Sequence, residues 1–174
     1  MSLAPDFAEA LHGWRAWRLV ESADGIRLHS IHYDAEWEPE VPLVAACQQR
    51  RRSWRHPLLG LPTGHEAPEL RCQCGIHAAS SRGRAAAYTG TLVPPHRFAS
   101  LHAIGTVSLW GTVAEHTDGW RASFAYPREI FLETAGRTWS PQRLAEIAEA
   151  LRVYKVPVTV VESVGRLGGR RAAA

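Results

Sequence analysis

Lysine is nearly missing from this chain: all but one of its 20 basic residues are arginine, the exception being Lys155. Alanine is abundant as well, and the pairing of these two biases is that of a GC-rich genome. The formal net charge of +3 is therefore only a weak sign of a polyanionic partner. Long apolar runs are absent too. "VPLVAAC" and "VPVTVV" are among the longest, far short of the roughly 20 residues a membrane helix needs, so no membrane span is expected. The opening "MSLAPDFAEALHG" carries acids, without a basic n-region or an apolar h-region. A secretory signal is not expected from it, and a cytoplasmic location is. No GxGxxG, Walker A, HExxH, GxSxG or EF-hand pattern occurs, which removes the chemistries those motifs announce. Cysteine is scarce, with three residues. In a reducing compartment disulfides are disfavoured, so the three point to metal binding or catalysis.

What remains is an ordinary soluble composition, 45% hydrophobic and 21% charged over 174 residues, long enough for one domain with its own core. We expect a single domain over residues 1–164 and a disordered basic tail, "GRLGGRRAAA", over 165–174. Seven tryptophans supply large surfaces for burial or binding. Trp14, Trp17, Trp110 and Trp120 fall in strand-like stretches, where the expectation is core, the alternative being that one or two line a binding groove.

The patterning is strand-dominated. "APDFAEALHG" predicts a short N-terminal helix, with Pro5 in its first turn and Gly13 at its end. "WRAWRLVE", "SADG" and "IRLHSIHY" predict a first β-hairpin, with Asp24-Gly25 in the turn. "PLVAAC" reads as a short strand ending at Cys47. Residues 48–70 are irregular, and a loop of that length is usually functional or tied down. "CGIHAASSRGRAAAYTG" reads as a strand passing into a weak helix. "IGTVSLWGTVAE", "HTDG" and "WRASFAYP" predict a second hairpin around Asp118-Gly119, extended by "REIFLE". Ser140 and Pro141 open a C-terminal helix with Leu144, Ile147 and Leu151 on one face, and "VYKVPVTVVE" closes as an edge strand. The expected class is α+β, two hairpins in a curved sheet or partly open barrel with one helix at either end. "GWRA" occurs at 13–16 and at 119–122; its flanks do not align, so coincidence is the preferred reading over duplication.

The segment "RCQCGIHAA" carries two of the three cysteines. In extended chain, positions i and i+2 share a face, so Cys72 and Cys74 can offer both sulfurs to one ion, and Gly75 lets the backbone turn away. A disulfide across so short a ring would be strained. With Cys47 and His65 the set is Cys₃His, a complement that zinc takes in closed tetrahedral structural sites. Such an ion would also fasten both ends of the loop, offsetting the entropy of ordering it. The one-residue spacing is tighter than the usual C-x₂₋₄-C knuckle, and the alternative is three buried thiols beside surface histidines. His77 is the alternative fourth ligand, although its odd spacing from Cys74 turns it to the other face of a continuing strand.

"GWRAWRL", "HEAPELRCQCGIHA" and "LWGTVAEHTDGWRASFAYP" together resemble an uncharacterised family of small proteins from high-GC bacteria. Its members carry a C-x-C-G-I-aromatic-A stretch and a W-G-x-V-x-E-H hairpin. The resemblance spans most of residues 13–132 and implies no particular activity. The chain departs from the pattern at His77, where the family would place an aromatic residue, so the resemblance favours Cys47, His65, Cys72 and Cys74 as ligands.

Two further readings belong to other classes. Arg50, Arg51, Arg52 and Arg55 surround Trp54 in "QQRRRSWRH", and basic charge beside an aromatic suits phosphate contact and base stacking in nucleic-acid binding. A cysteine-dependent enzyme would use Cys74 with His77 or His116 as base. The leading expectation is a zinc-binding, non-catalytic module whose partner is a protein or small ligand.

Overall fold

The computed structural model describes residues 10–32, 35–47, 65–90, 102–134 and 140–161. They form an α+β fold dominated by one sheet. Its strands are β1 (Leu11–Ser22), β2 (Gly25–Ser30), β3 (Glu36–Trp37), β4 (Leu43–Val44), β5 (Ile76–Ala79), β6 (His102–His116), β7 (Gly119–Glu133) and β8 (Val158–Val161). Helix α1 (Arg82–Gly90) lies between β5 and β6; α2 (Pro141–Leu151) leads into a 3₁₀ turn (Arg152–Tyr154) before β8. Neither helix is long and apolar enough to cross a membrane.

Two tight connections organise the strands. β1 and β2 pair antiparallel down to Ser22↔Gly25, and β6 and β7 down to His116↔Gly119. Each loop ends at an aspartate followed by a glycine of positive φ, Gly25 at 105° and Gly119 at 149°. β6 also pairs with β1 along its other edge, from Leu11↔Leu109 to Arg18↔His102. Two register shifts, at Thr106/Val107 and Trp110/Val113, are irregularities of the kind that bends a long hairpin.

β7 is the spine of the sheet. One edge carries β6. The opposite edge takes, in succession, β5 at Gly119–Ala122, β4 at Phe124–Ala125 and β8 at Ile130–Glu133, the last in parallel. β5 touches β1 as well, at Trp14↔Ala79.

The core follows from alternation. Trp17, Leu28, Val107, Leu109, Ile130 and Leu132 are fully or almost fully buried, with Trp17 set edge-on to Trp37 at 5.7 Å. α2 buries Leu144, Ile147 and Leu151 from one stripe, and the Ser140 side chain accepts from the Arg143 N–H at 3.1 Å to cap its start. The Tyr154 hydroxyl donates to the Trp37 carbonyl at 2.6 Å and accepts from the Leu28 N–H at 2.8 Å.

Three local expectations change. Leu11–Gly13 are strand, not the end of a helix, because they pair with Val107–Leu109 of β6; residues 1–9, the body of that expected helix, lie outside the described residues. β4 is two residues long, and the chain leaves the sheet after the Ala45 N–H bonds the Ser123 carbonyl at 2.8 Å. Residues 152–154 are a 3₁₀ turn closed by Lys155 at φ 57°, so the last strand begins only at Val158. The tail 165–174 lies outside the described residues.

Candidate metal centre

The edge of β7 brings distant cysteines together. β4 ends opposite Phe124, and Cys47 follows three residues after Val44. β5 begins opposite Ala122, with Cys72 and Cys74 in the segment just before it. The two short strands therefore meet end to end around Ser123. The Ser123 hydroxyl donates to the Ala67 carbonyl at 2.9 Å, which fastens the segment carrying His65 to the same point.

The loop before β5 is built around a turn at Glu69, whose carbonyl accepts from the Cys72 N–H at 3.0 Å. Arg121, on β7, is 2% exposed. Its Nη1 donates to the Cys72 carbonyl, to the Cys74 carbonyl at 2.9 Å and to the Glu69 carbonyl at 3.4 Å, while Nε donates to His116 Nε2 at 2.5 Å. One guanidinium thus holds three carbonyls of the loop from below. Gly75 then turns the chain at φ 119°, where a Cβ would meet Arg121 Cβ at 3.0 Å and Pro68 Cβ at 3.1 Å. The left-handed backbone and the lack of room both require glycine there.

Cys47 Sγ and Cys72 Sγ are 3.8 Å apart, and His65 Nε2 lies 3.2 Å from Cys74 Sγ. The four ligand atoms all fall within 4.8 Å of one another. A tetrahedral ion with metal–sulfur bonds of about 2.3 Å spaces its sulfurs by about 3.8 Å, so the cluster could hold a metal ion. The cysteines are half-buried and His65 is exposed. The Cys74 backbone N–H, followed by the neighbouring sulfurs and His65, holds the Cys72 thiol down to about 7, against burial; burial pushes Cys74 up, as do the sulfurs beside it.

His77 stands outside the cluster. It lies on β5 opposite Arg121, and its Nε2 bonds the Gln73 carbonyl at 2.9 Å. Burial lowers its pKa, as do the charges of Arg15, Arg121 and His116. Of the two bases considered for Cys74, then, His77 is engaged with Gln73 and His116 with Arg121, and the imidazole beside the Cys74 sulfur is that of His65. Arg50, Arg51, Arg52, Trp54 and Arg55 lie outside the described residues.

Sequence reasoning missed Arg121. Its signal was the repeated "GWRA": both copies flank β5, which pairs with Gly119–Ala122 on one side and with Trp14 on the other. Arg15, the counterpart in the first copy, donates to the His77 carbonyl on the same strand. Comparison with protein-family models, with curated proteins and with solved structures finds no match to this chain.

Proposed function

We propose that the protein is a zinc-stabilised binding module in which the ion is structural. The observation that carries this reading is the convergence of Cys47, His65, Cys72 and Cys74 within 4.8 Å, with a sulfur–sulfur edge of 3.8 Å. Three thiolates and a neutral imidazole are a complete tetrahedral complement for zinc and leave no open position for substrate. Such a centre carries one net negative charge, and the buried Arg121 guanidinium stands beside it as a compensating cation. The ion would also join the two ends of the segment 48–64, and with them the arginine-rich stretch. If the partner is a nucleic acid, that stretch is its contact, and binding should fall steeply with salt and on replacing Arg50, Arg51 and Arg52.

The pairing of β5 with both β1 and β7 supports a sheet curved toward a partly open barrel. A cytoplasmic location and kinship with the high-GC family that the sequence resembles belong to the same proposal.

Elemental analysis of the purified protein tests it. One zinc per chain is expected, lost in Cys72→Ser, with cobalt substitution giving the intense visible bands of a tetrahedral thiolate site. A well-folded protein that contains no metal and whose melting temperature ignores both chelator and added zinc would overturn it.

A further inference from the structure

A cavity of about 850 Å³ opens between α1 and the strands β1, β5 and β7, within the size range of small-molecule sites. Its lining is electrostatically one-sided. Arg15, Arg71, Arg84 and Arg121 contribute to the wall, and among the described residues the only carboxylate in it is Asp118, which is ion-paired to Arg84. Arg15 has no carboxylate partner among the described residues. Its Nη1 donates to the His77 carbonyl, its Nη2 to Ser30 Oγ at 3.0 Å, and its guanidinium lies 4.9 Å over the Trp37 ring. Its Nε is shut off from solvent and finds no partner among the described residues. Burial brings the Arg15 pKa down to about 10, as expected for a cation surrounded by neutral groups. Arg15 is half-buried; a partly desolvated charge without a counter-charge among the described residues is unfavourable, and an anion in the cavity would supply one. Trp120, half-buried, presents its indole on the same face as Arg15: a Cβ on Gly13 would meet its ring at 3.2 Å, and Gly13 and Arg15 share a face of β1.

We propose that this cavity binds a small aromatic anion, a planar ring bearing a carboxylate or phosphate, with Arg15 as its main charge partner and the indole of Trp120 against the ring. This deepens the binding-module reading by naming a ligand class, and it uses the metal loop only as a wall. The two GWRA segments provide the wall on either side of β5, so the repeat has a structural use whether or not it arose by duplication.

Isothermal titration calorimetry on the full chain tests the inference, with benzoate and adenosine 5′-monophosphate as probes and uncharged adenosine as control. At least one anion should bind at one per chain, adenosine about tenfold or more weaker than its monophosphate if the monophosphate is the binder. Arg15→Gln should weaken the anion by about tenfold or more, the loss of one charge-assisted contact. Asp118→Asn keeps a turn-forming residue ahead of Gly119 and removes that acid, so it should tighten binding several-fold. It also carries the test if the Arg15 variant does not fold. Absence of binding by both anions at millimolar concentration, or affinities indifferent to these substitutions, would overturn the proposal. Zinc content measured on each sample separates the two readings: anion binding lost at full zinc defeats this inference alone, and anion binding in a zinc-free native protein defeats the metal reading alone.

Discussion

The phenol of Tyr154 sits between the Leu28 N–H and the Trp37 carbonyl with no exposure to solvent. Tyr154→Phe leaves both backbone groups unsatisfied, and it should lower stability by about 1–3 kcal/mol in denaturant melts. Burial pushes the Tyr154 pKa from 10.0 up to about 12. Between those values the unfolded chain gives up the proton while the folded chain keeps it. Stability should therefore hold below pH 10 and fall through that window, by roughly 3 kcal/mol in all, and this share of the alkaline loss should vanish in the phenylalanine variant. Arg121 is the second residue of this kind. Arg121→Met removes the donor to three loop carbonyls and to His116. A chelator competition assay should show zinc affinity down by about 10- to 100-fold, the range for groups that orient metal ligands indirectly. The four residues of the candidate centre were legible because cysteine and histidine advertise their chemistry and the i, i+2 spacing of Cys72 and Cys74 points to one face. Arg121 was not, because its function is to satisfy main-chain oxygens that only the folded chain assembles.

Among the elements, β5 shows how little tolerance the arrangement has. A Cβ on Gly119 would stand 2.0 Å from the Ala78 carbonyl oxygen and 2.8 Å from Ala79 Cα. Gly119→Ala must therefore push β5 off β7, at a cost of about 3 kcal/mol. Thermal denaturation should show that loss with the β6–β7 turn still formed. Local signals were enough for the strands flanking each Asp-Gly turn and for α2, whose Ser140-Pro141 start and apolar stripe are visible in the chain itself. They failed where tertiary contact decides. Leu11–Gly13 follow β6 into the sheet despite the helix-like approach, and Lys155 adopts a left-handed turn that breaks the expected last strand. The shortness of β4 was equally hidden, since nothing in "PLVAAC" says that only Leu43 and Val44 pair in register with β7.

At the scale of the whole molecule, the succession of β5, β4 and β8 along one edge of β7 was beyond reach of the sequence. These are non-local pairings, set by packing and not by any periodicity within the segments. That succession brings Cys47 to the cysteines ahead of β5, and it separates what local structure supports from what a bound ion would support. Chelation should raise amide exchange first in residues 65–79 and at Ala45, while the β6–β7 amides keep their protection; mass-resolved hydrogen exchange reads this directly. Uniform loss of protection would mean that the ion holds the entire sheet.

Because three stretches of chain queue along a single strand, that strand has to be standing before any of them can dock. The β6–β7 hairpin, whose ends are close in sequence, can form early, and the cysteines are carried into register only afterwards. On the proposed reading a metal ion would be the latch that is thrown last, and a cell short of it would hold a molecule with its frame built and one door left open.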